Sequence, residues 1–187
     1  PTAEDYEKVY DIPIGKSPVR GNTAAKVTII GFLDLQCPFS ARFQPVINQV
    51  LEAYPGKVNY VIKHFPLSFH QQAKPAAKAI LAAGEQGKYW EMADSILKNS
   101  QDLSKEKLEE FAKALKLNMK KFEADFRSKD TDWEKLIQED YELGLKVDVK
   151  GTPTYYMNGR KTRSRDLESF KKEIDTLLQF RGQSPTS

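Results

Sequence analysis

Two short β-branched runs with one amphipathic helix between them constrain this chain more than any other feature. The runs are Val27-Thr-Ile-Ile-Gly-Phe-Leu33 and Val58-Asn-Tyr-Val-Ile-Lys-His64. Each has the length and composition of a buried strand. Between them Phe43, Val46, Ile47, Val50 and Leu51 recur at i, i+3, i+4, i+7 and i+8, one face of a helix over 40–53. Tyr54-Pro55-Gly56 stops that helix. Strand, helix and strand in this order predict a βαβ unit with a mainly parallel pair.

The pattern then changes. Five helical stripes follow, marked by Ala73–Leu81, Tyr89–Leu97, Leu108–Leu115, Met119–Phe126 and Trp133–Gly144. Ser104 is positioned to cap the third. Thr131-Asp-Trp-Glu134 has the form of a capping box opening the fifth. Strand chemistry returns at Thr154-Tyr-Tyr-Met157, and Asn158-Gly159 predicts a tight hairpin with Arg160–Arg163 as the return strand. Asp166 can cap a last helix carrying Leu167, Phe170, Ile174, Leu177 and Leu178. Ahead of all this, residues 1–24 are polar and punctuated by Pro13, Gly15, Pro18 and Gly21, an extended lead-in with a short edge strand near Val9–Ile12. The start at Pro1 fits a processed or truncated product from which a secretory signal has been removed.

Charge narrows the partners. Lys and Arg number 29 against 26 Asp and Glu, mixed along the helices, so no nucleic-acid partner is expected. The basic stretch Arg160–Arg165 reads as a solvated hairpin. No apolar run reaches the roughly 20 residues of a membrane span, so no direct membrane insertion is expected. With one cysteine and two histidines a Cys/His metal site is not expected. Cys37 is then a buried small residue, a nucleophile, or half of an intermolecular bond.

The position of Cys37 favours the nucleophile. It stands at a helix start, where unpaired N–H groups and the helix dipole stabilise a thiolate. Pro38 suits the first turn, where its missing N–H is harmless. Ser40 lies one turn on, so its N–H or hydroxyl can approach the sulfur.

Four segments carry a family resemblance: Phe32-Leu-Asp-Leu-Gln-Cys-Pro-Phe-Ser40, Lys63-His-Phe-Pro-Leu67, Ala82-Ala-Gly-Glu-Gln-Gly-Lys-Tyr-Trp90 and Val149-Lys-Gly-Thr-Pro-Thr-Tyr-Tyr-Met-Asn-Gly159. In order and content the chain resembles the DsbA-family thioredoxin-fold thiol:disulfide oxidoreductases from about Ser17 to Leu178. The resemblance implies an α/β thioredoxin fold, a central mixed sheet with flanking helices, interrupted by an all-helical insertion. Residues 1–65 and 148–180 would form its two parts, 66–147 the insertion and 181–187 a frayed tail. It implies thiol–disulfide exchange without a cofactor, with Cys37, Ser40 and Pro153 in the catalytic site. Pro38, Phe39 and Thr152 would meet the substrate. Thr152-Pro153 would be cis and face Cys37, turning backbone outward for a substrate strand. The setting implied is the bacterial periplasm or cell envelope, with protein thiols or disulfides as substrates. Glutathione or a membrane redox protein is the further partner to test.

Ser40 departs from the family, which carries a second cysteine there. A hydroxyl cannot resolve a mixed disulfide. Two readings stand, a natural monothiol and an engineered Cys-to-Ser trap. Ser40 is expected to supply a hydrogen bond to the sulfur instead. A kappa-type glutathione transferase and a non-catalytic, chaperone-like binder share the architecture and remain alternatives. Asp34 reads as a solvated turn or cap residue, with proton transfer to the sulfur the other reading. Lys63 and His64 read as surface or satisfied polar groups. At least one of Tyr155 and Tyr156 should lie in the core.

Overall fold

The computed structural model describes residues 4–180; the expected frayed tail, 181–187, lies outside the described residues. The element order is β1 (Val27–Leu33), α1 (Pro38–Ala53), β2 (Val58–His64), α2 (Ala73–Gly84), α3 (Tyr89–Lys98), α4 (Lys105–Ala114), α5 (Met119–Ser128), α6 (Asp130–Lys146), β3 (Thr154–Met157), β4 (Arg160–Lys161) and α7 (Leu167–Phe180). One four-stranded sheet has the order β2-β1-β3-β4. Val27 N–H donates to Lys57 O at one end of the first pair, and Phe65 N–H to Leu33 O at the other, so β1 and β2 run parallel. β3 and β4 pair antiparallel, Met157 opposite Arg160. The sheet is therefore mixed, as expected, and five helices separate β2 from β3.

Two compact units divide the chain. Among the described residues, the first comprises 4–31, 43–62 and 154–180. Its core holds Ile29, Ile47, Tyr60, Tyr155, Tyr156, Phe170 and Ile174. Tyr155 and Tyr156 point to opposite faces of β3, and both are fully buried. Both faces of that strand are thus covered. The turn between β3 and β4 has positive φ at Asn158 and Gly159, the geometry of a two-residue hairpin. Asp166 Oδ1 accepts from Ser169 N, the expected cap of α7.

The second unit comprises 32–42 and 63–153. Alanines at 73, 76, 77, 79, 82 and 83 give α2 a smooth buried surface inside its helical cluster. Ser104 Oγ accepts from Lys107 N and caps α4 as expected. Gly144 lets α6 approach Phe65: a Cβ there would sit 2.6 Å from that ring and 3.1 Å from Phe32. Close packing explains a glycine at a helix interior, where it is otherwise unfavourable.

Four local expectations are corrected. The lead-in forms two isolated bridges, Val9 with Arg160 and Arg20 with Tyr60, in place of an edge strand near 9–12. β4 ends at Lys161, because Thr162 and Ser164 turn their hydroxyls to Glu173 on α7. The hairpin is not simply solvated: Lys161 is buried with Glu4 3.8 Å away, and the Arg165 guanidinium lies over Tyr155. Finally, α6 begins at Asp130, and no side chain caps it. Thr131 is already inside the helix, while Glu134 is drawn instead to Lys78 and Lys74.

Candidate functional site

The sequence-predicted site lies within the second unit and is built around one buried carboxylate. Asp34 follows β1 and is 1% exposed. Its Oδ1 accepts from Gln36 N at 2.8 Å and Cys37 N at 3.0 Å. Its Oδ2 accepts from Leu67 N at 2.8 Å and faces His70 Nδ1 at 2.9 Å. A carboxylate only accepts, so Nδ1 is the protonated nitrogen in this contact. Asp34 therefore caps the turn before α1, as expected of a turn or cap residue, but it does so as a buried hub and not in solvent. It ties the turn before α1 to the loop after β2. Gln36 adds a second tie: its Oε1 accepts from Gln72 N, and Gln72 Oε1 accepts from Leu103 N.

Held by this hub, Cys37 immediately precedes α1, with Pro38 as the first helical residue. Ala41 N–H donates to Cys37 O at 3.3 Å, closing the first helical turn. The cysteine is buried, and its sulfur donates to Thr152 O at 3.7 Å. The thiol makes that bond; the thiolate has no proton to give. The Thr152-Pro153 peptide is cis, as expected, and Pro153 is buried. Pro38 and Phe39 are exposed on the opening turn of α1, and Phe69 is exposed beside His70, with ring centroids 4.5 Å apart.

Ser40 does not play the expected part. It is fully buried, and its Oγ has no hydrogen-bond partner. The sulfur's bond goes to Thr152 O instead, and Thr152 Oγ1 is likewise unpartnered.

A second cluster escaped the sequence reading. Lys63 and His64 are buried and not at the surface; Lys63 has Asp140 as its partner, as a satisfied polar group, whereas the His64 ring is unsatisfied. Lys63 Nζ lies 3.8 Å from Asp140 Oδ1, and burial pulls its pKa below the ordinary lysine value. His64 N–H donates to Asp140 Oδ2 at 3.0 Å, but both its ring nitrogens lack partners. Burial, helped by the Lys63 charge, lowers the His64 pKa to about 4. Burial raises the Asp140 carboxyl to about 6, against the pull of the His64 N–H and Lys63. The only sequence signal was two polar residues closing an apolar strand. Asp34 and His70, and His64 and Asp140, are far apart in the chain, and nothing local marked either pair as partners.

A cysteine at a helix start, beside the carbonyl before a cis-proline, defines a thioredoxin-type site. The fold agrees with solved structures. A thiol-disulfide exchange protein, alpha-DsbA2 of Wolbachia pipientis, matches with a TM-score of 0.79 at 23% identity, covering 87% of this chain and 88% of that one. BdbD of Bacillus subtilis matches at 0.77 and 20% identity, covering 89% and 95%. Both share the DsbA-type thioredoxin fold with this protein. The chain matches the family described as Thioredoxin over residues 14–176 and belongs to that family.

Sequence relatives include a protein named Na(+)/H(+) antiporter NhaA 3 from Salinispora tropica. It is 34% identical over 163 residues, 83% of this chain and 24% of the relative. Another, NhaA 1 of Salinispora arenicola, is 32% identical over 178 residues, 92% of this chain and 27% of the relative. The chain thus spans about a quarter of the length of these relatives. Among the described residues no helix is long and apolar enough to cross a membrane.

Proposed function

We propose that this protein carries out thiol–disulfide exchange on protein substrates, with Cys37 as the nucleophile. The observation that carries the reading is Cys37 at the start of α1 with its sulfur 3.7 Å from Thr152 O, the carbonyl before cis-Pro153. In the exchange the Cys37 thiolate attacks one sulfur of a disulfide. That S–S bond breaks, the other sulfur leaves as a thiolate, and a mixed disulfide with Cys37 remains. A substrate strand pairs with the backbone at Thr152, and Pro38 and Phe39 meet its side chains. Ser40 stands where a resolving thiol would be and cannot release the product. An external thiol, from glutathione or a membrane redox partner, completes the cycle. The setting is the bacterial cell envelope, and 66–147 is the insertion in the fold.

Full burial of Ser40 supports exchange over the transferase reading, which needs its hydroxyl at glutathione. The test incubates the protein with oxidised glutathione and follows intact mass. One glutathionyl adduct on Cys37, stable until reductant is added, is expected. Ser40→Cys should then release glutathione and form an internal disulfide. Failure of Cys37 to form any adduct would sink the reading. Conjugation of glutathione to an electrophile surviving Cys37→Ala would establish the transferase.

A further inference from the structure

The Cys37 thiolate required by the exchange reading forms beside a carboxylate that is itself buried. Asp34 Oδ1 accepts from Cys37's own N–H, and the side chain is completely shielded from water. Like charges this close oppose one another strongly where water cannot screen them. The three backbone donors on Asp34 are neutral dipoles. Among the described residues, His70 is the ionisable side chain that pairs with it, at 2.9 Å, and its side chain is 19% exposed. It therefore has access to solvent protons, and histidine changes charge near neutral pH.

We propose that His70 is a positioning residue for the exchange reaction, acting through Asp34 as the counter-charge that lets Cys37 ionise. This rests on the exchange reading. A cationic imidazole would offset the charge added when the thiol gives its proton to solvent. Nδ1–H stays on Asp34 Oδ2 throughout, and the second ring nitrogen carries the added proton. The same bond holds the loop with Leu67 and His70 against the turn before α1. His70 touches neither substrate nor sulfur.

His70→Asn separates charge from hydrogen bond, because its amide can replace Nδ1–H on the carboxylate but cannot become cationic. The experiment measures two rates at neutral pH, adduct formation with oxidised glutathione and alkylation by iodoacetamide, alongside the thermal midpoint. In His70→Asn both rates should fall about tenfold while the midpoint stays near wild type, because the amide keeps the hydrogen bond and cannot carry the charge. His70→Phe should be slow and also less stable. Wild-type rates in His70→Asn would overturn the proposal, whatever His70→Phe does. If wild type is alkylated faster than His70→Asn but forms no adduct, the exchange reading falls while the counter-charge role stands.

Discussion

Replacing His64 by leucine should reverse the way acid acts on the protein's stability. His64 is fully buried with both ring nitrogens unpartnered, and its pKa falls from the ordinary 6.5 to about 4. The unfolded chain therefore binds this proton more tightly, and stability is lost as pH falls from about 6.5 towards 4. Asp140 works in the opposite sense. Its pKa rises from 3.8 to about 6, so the folded state binds that proton more tightly and stability is lost as pH rises between those values. Between pH 7 and pH 5 linkage gives a loss of about 2 kcal/mol from His64 and a gain of about 1 kcal/mol from Asp140. These two groups partly cancel in the wild type. In His64→Leu only the Asp140 gain remains. Urea denaturation at pH 5 and pH 7 on both proteins measures this directly. Groups that titrate alike in the two proteins drop out of the comparison. The variant should gain about 2 kcal/mol on the wild type between the two pH values. Identical pH dependence in the two proteins would refute a buried, neutral His64.

Two further substitutions test the packing around the site. Asp34→Ala leaves the N–H groups of Gln36, Cys37 and Leu67 without their acceptor and should destabilise the fold by about 3 kcal/mol, read by chemical denaturation. An unchanged midpoint would mean that the hub does not hold the two loops together. Gly144→Ala places a methyl 2.6 Å from Phe65 and should destabilise by about 1–3 kcal/mol through overpacking, although alanine favours helix. A stabilised variant would show that Phe65 can move aside.

Strands and helices were legible because each is specified by its own residues. The runs at 27–33 and 58–64, the stripe at 43–51 and the Asn158-Gly159 turn coincide with β1, β2, α1 and the β3–β4 hairpin. Where a local signal competed with a distant partner, the partner won. Thr131–Glu134 has the form of a capping box, yet Lys78 takes Glu134 and the helix starts two residues earlier than a Thr131 cap would place it, at Asp130. The return strand after Gly159 stops where Glu173 gathers the hydroxyls of Thr162 and Ser164.

The sequence by itself determined the order of elements, the placement of Cys37 at a helix start, and the absence of a thiol at position 40. These depend on residues within a turn or two of one another. Only the tertiary structure decided which polar groups are buried. It put the Asp34 carboxylate, expected to be solvated, beneath the cysteine with His70 against it, and it left the Ser40 hydroxyl without a partner. Burial and hydrogen bonding depend on segments 30 or more residues apart meeting in space. No local pattern records such a meeting, and so Cys37 was legible while the packing of Asp34 and His70 around it was not.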